Sequence, residues 1–443
     1  MDSVSKSPRT KFKFTVAEKS WMLYDWANSV YATNIMAAIF PIYFVKMAGE
    51  LVDGDGMWAI GSSIATLVVA LLAPILGSFA DFRGVKKTFL CIFIAIGTLF
   101  TLSMALTDNW KLMLVGYVLS YIGFTGANLF YDSFLTDVTT KDRMDRVSSF
   151  GFALGYVGGS TIAFAISLAF VFIVGGSLGV KIAVLITVLW WAIFSLPIIF
   201  KVKQIHYITA SPRGVVSDTF RNMWKTFKSI VTTPGVFVFV LAYFFYIDGV
   251  NTVIHMATAY GTTLKLDSTG MILALVVTQV VAVPCTIFFG FLAKRFGSLR
   301  MIIFAVCMYT VICAVGFYMG YSIESAPESG PELDQAVALS QFLFFTMAIL
   351  VGTVQGGIQA LSRSYFGKLI PAERSNEYFG FFDIFGKFAA VLGPALYAGV
   401  SAATGSTANG IAGVAVLFVI AFFILIAGKN LIRRTELAGG IIE

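Results

Sequence analysis

A chain of 443 residues that is 58% apolar and only 12% charged, with a mean hydropathy of +0.85, is excluded from the water-soluble globules, whose charged fraction runs near 25%. Its net charge of +7 is thinly spread and confined to particular loops, which argues against a nucleic-acid partner. The four cysteines (Cys91, Cys285, Cys307, Cys313) all lie in apolar segments and read as small buried residues, not as a disulfide framework.

Apolar runs long enough to cross a bilayer, about 20 residues each, recur along the whole chain. They predict twelve membrane helices, here spans 1 to 12, at roughly 17–46, 57–80, 87–107, 111–136, 147–174, 180–201, 235–261, 268–293, 299–320, 336–361, 376–402 and 408–428. Thr15 and Glu18 form a capping-box pattern opening span 1. The first apolar run is too long for a cleaved signal peptide and is expected to stay as a helix. An even number of spans puts both termini on one side. Nearly all lysines and arginines fall in the tails and the even-to-odd loops, whereas the opposite loops hold Lys46, Lys111, Lys181 and Lys265. By the positive-inside rule both termini are expected in the cytoplasm.

A pattern of glycine, alanine three on, a charge four on and glycine seven on follows span 2 (Gly77, Ala80, Asp81, Gly84) and returns after span 8 (Gly290, Ala293, Lys294, Gly297). Two copies at matching places predict two homologous halves, 1–201 and 235–443, as in many transporters. The segment 202–234 joins them. In it Val216, Phe220, Met223, Trp224, Phe227 and Ile230 recur at helical spacing, which suits an amphipathic helix lying on the inner leaflet; the plainer alternative is a disordered linker.

Gly77, Asp81, Arg83, Gly84, Lys86 and Lys87 resemble the loop signature of the major facilitator superfamily between its second and third helices. The stretches 21–29 (with Tyr24, Asp25, Trp26 and Asn28), 40–44, 150–159 and 359–366 resemble its autophagy-related vacuolar effluxer-like branch, which also occurs in bacteria. The resemblance implies an all-α integral membrane fold of two pseudo-symmetric six-helix bundles. It also implies that spans 1, 4, 7 and 10 surround a central cavity, and that the Asp81 loop braces the two bundles. For the fungal members it implies export of neutral amino acids from the vacuole. Span 5 carries Gly151, Gly155, Gly158 and Gly159, similar to the superfamily's antiporter signature, but Tyr156 stands where that signature has proline. The plain reading of these glycines is close helix packing.

Ionisable groups inside the membrane are expensive and by default functional. Asp25 and Asn28 share a face of span 1 with aromatic neighbours that include Tyr31; Asn128 and Asp132 share a face of span 4. Asp248, Asn251 and His255 fall on one stripe of span 7, and Gln355, Gln359 and Arg363 on one stripe of span 10. The functional reading makes Asp25, Asn28, Tyr31, Asn128, Asp132, Asp248, Asn251, His255, Gln355 and Gln359 candidates for substrate binding or proton coupling; the alternative is hydrogen-bonded glue between helices. Asp25 and Asp248 are the leading proton or cationic-substrate sites. Asp81, Arg83, Gly84 and Lys86 are candidate gating residues, as are Asp383 and Lys387, an i,i+4 pair on span 11 that reads either as a self-neutralising pair or as a switch.

The chain is therefore expected to be a secondary transporter in a bacterial cytoplasmic membrane, acting as a monomer. Its expected partners are a small organic solute, lipids and protons; the alternative is an amphiphile flippase. No phosphate loop, His-Glu-x-x-His motif or histidine-rich cluster points to an enzyme, a metal or a cofactor.

Overall fold

The computed structural model describes residues 12–49, 53–209, 215–327 and 329–441. Among these, twelve helices are long and apolar enough to cross a membrane. They are span 1 (Val16–Ala48), span 2 (Gly56–Ala80), span 3 (Val85–Ala105), span 4 (Trp110–Val138), span 5 (Met144–Val174) and span 6 (Gly176–Lys201) in the first bundle. The second bundle holds span 7 (Pro234–Thr263), span 8 (Thr269–Phe296), span 9 (Ser298–Glu324), span 10 (Pro331–Leu369), span 11 (Ala372–Thr404) and span 12 (Thr407–Leu437). The chain is an integral, multi-pass membrane protein.

Local sequence sets the helix starts. The capping box opens span 1: Glu18 N donates to Thr15 Oγ1 at 3.1 Å and Thr15 N to Glu18 Oε2 at 2.7 Å. The same Glu18 also accepts from Thr139 and Arg143, both at 2.7 Å, so this cap pins span 1 to the loop between spans 4 and 5. Asp53, Asn109, Asp267 and Ser406 cap spans 2, 4, 8 and 12 through their side chains; each such cap contributes about 1 kcal/mol.

Spans 1 and 5 each contain a π-helical stretch, Ala32–Ala38 and Gly158–Ala163. Such a turn re-aims side chains mid-helix. In span 1 it carries buried Asn34, whose amide donates to Ser167 at 2.8 Å and Thr187 at 2.9 Å, tying spans 1, 5 and 6. The glycines of span 5 face span 1: a Cβ at Gly151 would lie 2.6 Å from Asp25 Oδ2, and one at Gly155 2.6 Å from Ser29 Oγ. They serve packing inside the first bundle.

Two helices run well past the predicted ends. Span 10 is 39 residues long, about 58 Å at 1.5 Å per residue, longer than a hydrocarbon core is thick, and it keeps Arg363 and Lys368 on one continuous helix. Span 12 likewise continues to Leu437. The linker helix Val215–Thr232 packs on spans 2, 7 and 11. Its apolar stripe splits: Ile230 is buried and Phe227 meets Phe381 with its ring tilted by 41°, while Trp224 stays exposed. The side chains of Val216 and Phe220 lie outside the described residues.

The first and last described residues lie at one end of the molecule, called here the terminal end. Lys13 O accepts from Arg143, Gly439 O accepts from Lys141 at 2.6 Å, and Ile441 N donates to Leu369 O at 3.0 Å. The bundles meet there through spans 2 and 11, spans 4 and 11, and the Met144–Val157 half of span 5 against spans 8 and 10.

Candidate functional site

The two glycine motifs are the crossing points between bundles. A Cβ at Gly77 would meet the backbone of Asn376 at 2.5 Å, at the start of span 11. One at Gly290 would meet Ser149 at 2.8 Å and Asp145 O at 3.3 Å, at the start of span 5. In the first copy Asp81 then caps span 11 from the other bundle. Its carboxylate accepts from Asn376 N at 3.0 Å, Asn376 Nδ2 at 2.7 Å and Glu377 N at 3.1 Å. Gly84 sits at φ +80°, the left-handed turn that glycine adopts freely, and its N–H donates to Gln204. Arg83 is exposed, 5.5 Å from the Tyr207 ring.

Each motif leads into a three-element polar knot. Lys86, at the start of span 3, is fully buried; it pairs with Asp137 of span 4 at 2.7 Å and donates to Ser375 of span 11 at 2.9 Å. At the matching place in the other half, Ser298 starts span 9, Lys368 ends span 10 and Asp145 starts span 5. Lys368 pairs with Asp145 at 2.5 Å and donates to Ser298 at 2.9 Å, and Ser298 donates to Asp145 at 2.8 Å. The geometry repeats while the charges change places. Burial without a partner would be costly for any of these ions; the Lys86–Asp137 pair stays within the first bundle and reaches across only through Ser375, whereas the Lys368–Asp145 pair holds only while the bundles touch.

Burial pushes the Asp81 carboxyl up from 3.8 to about 7, against the pull of Lys86 and Asn376 and with a further push from Glu377. A carboxyl that is raised in the closed terminal end and ordinary when solvated makes closure bind a proton. Closure is therefore expected to strengthen as pH falls through about 7, to level off below about 3.8, and to gain nothing from Asp81 above 7. Spin-label distances between the loops before spans 3 and 11 should show this, and Asp81→Asn should flatten the profile.

Deeper in, Arg363 of span 10 reaches across to the first bundle. Its Nη1 donates to Asp132 at 2.9 Å, its Nη2 to Asp25 at 3.2 Å and its Nε to Ser148 Oγ at 3.0 Å. Tyr131 also donates to Asp25, at 2.7 Å. The guanidinium lies 4.4 Å from the Phe152 ring and 4.6 Å from the Trp21 ring, close enough for cation–π attraction. Asp25 is thus half of a shared ion pair, not a free carboxylate. Gln355 also crosses, donating to Tyr156 at 3.2 Å; the tyrosine that replaces the antiporter proline is a contact between bundles.

Beside this clamp lies a cavity of about 260 Å³. Its charged lining is Asp132 with Arg363 and the Asp383–Lys387 pair. Asn251 and Gln359 supply amides, and Phe152, Tyr243 and Phe382 supply aromatic walls. Both signs of charge and a ring surface converge in one small space.

The other predicted residues are placed elsewhere. Asn28 donates to Asn128 at 2.6 Å, joining spans 1 and 4. Tyr31 is buried in the first bundle, bonded to Ser120 at 2.7 Å and stacked on Phe124. His255 is exposed, and Asp248 is buried beside Gly393 of span 11. The span 7 stripe therefore divides: Asn251 faces the cavity and Asp248 faces a neighbouring helix. Arg363 has no assigned role on its predicted stripe, and Asp145, Lys368 and Ser375 join the site without having been candidates. Their sole sequence signal was a run of charges just beyond an apolar stretch, indistinguishable there from solvated loop charges.

Twelve spans in two bundles, joined by charged knots around a central polar cavity, define a transporter of the major facilitator type. The chain belongs to the family described as "Vacuole effluxer Atg22 like", whose model matches residues 44–430. It is similar to an uncharacterized MFS-type transporter, YxiO, of Bacillus subtilis: 41% identical over 430 residues, 93% of this chain and 95% of that one. It is 24% identical to autophagy-related protein 22 of Cryptococcus neoformans over 70% of this chain, a match spanning 56% of the fungal protein's length. Among solved structures, a bacterial homologue of the iron transporter ferroportin in an outward-facing state matches with TM-score 0.67 at 12% identity, covering 94% of this chain and 98% of that one. The proton:xylose symporter XylE matches with TM-score 0.65 at 12% identity, covering 93% and 94%. At such identities the structural likeness speaks to the fold.

Proposed function

We propose that this transporter moves a small zwitterionic organic solute, of the neutral amino-acid class, by alternating access driven by a proton gradient. The cavity carries the proposal: two cations, two anions and three aromatic rings line it together. A zwitterion's carboxylate matches Arg363 or Lys387, its ammonium matches Asp132 or Asp383, and an apolar side chain matches Phe152, Tyr243 and Phe382. The volume of about 260 Å³ is below the roughly 300–1,000 Å³ of drug-sized sites, which suits an amino acid. The apolar cavities near span 7 measure about 30 and 80 Å³, too small for an acyl chain, so the amphiphile reading has less support.

The basic loops orient the terminal end toward the cytoplasm, and the bacterial relative suggests a cytoplasmic membrane. The closed terminal end is then the inward gate, and the state described here faces outward. The two halves, 1–201 and 235–443, joined by the 202–234 linker, rock about the cavity within a monomer surrounded by lipids.

Proteoliposome uptake of pooled neutral amino acids, with and without an imposed pH gradient, tests this. Accumulation is expected with the gradient, and Lys387→Gln should raise the KM about tenfold, the cost of one charge-assisted hydrogen bond. Flux of lysolipid with no amino-acid flux would overturn the reading.

A further inference from the structure

Four carboxylates sit at depth near the cavity, and three of them are held by a cation, with one arginine shared between two of them. Asp25 and Asp132 share Arg363, and Asp383 is held by Lys387. The fourth, Asp248, is fully buried, and neither of its oxygens has a hydrogen-bond partner. Thr252, one turn along the same face, is also buried with its hydroxyl unpartnered. The backbone of Gly393 lies against the pair: a Cβ there would come 3.0 Å from Asp248 Oδ1 and 2.0 Å from Thr252 Oγ1.

No cation on the surrounding elements compensates it. On span 7 itself the titratable neighbours are Tyr243, Tyr246, which bonds Ser362, and His255, about two turns away. Span 11 offers Tyr397 and the Asp383–Lys387 pair, already closed on itself. Span 10 offers Gln355, Gln359 and Arg363, the last committed to the first bundle. The ionisable side chains of span 12 (Lys429, Arg433, Arg434, Glu436), of span 8 (Lys294, Arg295) and of the linker helix (Lys225, Lys228) lie at the terminal end. Among the described residues none forms an ion pair with Asp248.

An ionised carboxylate in such a place is far costlier than the neutral acid. Pro394 follows Gly393, and a proline inside a helix removes one backbone hydrogen bond, so span 11 bends most readily beside Asp248. We propose that Asp248, with Thr252 beside it, is the site that takes and releases the coupling proton. The carboxyl is neutral while span 11 covers it. It gives up its proton to solvent on one side when span 11 bends away from span 7; the halves then rock, and on the other side it takes a proton back before span 11 can cover it again. One proton is bound and one released per cycle, with no other bond made or broken. This assignment rests on the proton-driven reading above and narrows it, because Asp25 and Asp132 are already claimed by an arginine.

Two arms test it. Infrared difference spectra of the purified wild-type protein, taken from neutral to alkaline pH, should show a protonated-carboxyl C=O band that is missing in Asp248→Asn and shifted in Asp248→Glu. Identical spectra for wild type and D248N would overturn the proposal. In proteoliposomes D248N should lose gradient-driven accumulation, and any exchange that remains should no longer vary with pH. Accumulation that persists in a folded D248N protein would equally overturn it. The infrared arm needs no substrate, so a wild-type protein that moves no amino acid refutes the substrate reading while the spectra still decide for or against Asp248.

Discussion

Replacing Arg363 with alanine is expected to cost both closure of the terminal end and transport, with the larger of the two effects on closure. The guanidinium is the one group that satisfies Asp25, Asp132 and Ser148 together, and it is almost entirely buried. Removing one partner of a buried ion pair costs about 3–5 kcal/mol because the other charges remain. Here two carboxylates are left, and the bundles can relieve them by parting and admitting water. At 1.4 kcal/mol per decade, that bias corresponds to roughly a hundredfold to several-thousandfold shift toward the open terminal end. Cysteine labelling at the terminal end should rise accordingly and accumulation should vanish. Arg363→Lys keeps a charge but loses the fork that reaches two acids at once, so it should rescue folding more than transport. The triple variant D25N/D132N/R363Q removes every charge and should recover thermal stability without recovering coupled transport, since neutralising a whole buried cluster is often harmless to folding. An R363A protein that labels like wild type would show that Arg363 is not the clamp.

The parts of this molecule that hydropathy and charge segregation encode were readable without coordinates. Twelve apolar runs and one repeated glycine motif suffice for two bundles of six, because lipid leaves a helix few alternatives. The Thr15–Glu18 capping box was readable because it is local. Pairings across the bundles were not. Arg363 and Asp25 stand 338 residues apart, and no periodicity links them. Lys368 and Asp145 looked like loop charges because the helices outrun their apolar segments. The charge swap between the two knots hid the symmetry further: the acid present in the first motif as Asp81 is Lys294 in the second, and the carboxylate at that crossing comes from Asp145 on the opposite bundle. The stripe on span 7 misled differently. Residues three and four apart do share a face, but a helix wedged between a cavity and a neighbour presents two environments within that one face. Asn251 and Asp248 fall on either side of the divide.

A bulky residue at Gly77 is expected to hold the terminal end open. The contact there is backbone against backbone. An added Cβ would stand 2.5 Å from Asn376 O, 2.9 Å from its carbonyl carbon and 3.0 Å from Glu377 Cα. On the facing helix, a Cβ at Gly380 would stand 2.9 Å from Ala73 O, so both helices use glycine at the same crossing. No side-chain rotation can relieve a clash with main chain, and the first turn of span 11 cannot retreat while Asp81 grips it. The spans must separate instead. Forced overpacking costs about 1–3 kcal/mol, enough to move a balanced two-state equilibrium by roughly one to two decades. Gly77→Ala should therefore slow transport in part, and Gly77→Leu should nearly stop it, with the loss rising with side-chain volume. On a background without the four native cysteines, terminal-end probes should become reactive and far-end probes protected. Gly84 supplies the control: it sits in the same loop with open space around its Cα but at φ +80°. Gly84→Ala should thus cost about 1 kcal/mol of backbone strain and leave the labelling pattern alone. Equal labelling in Gly77→Leu and wild type would mean that the bundles do not part at this crossing during transport.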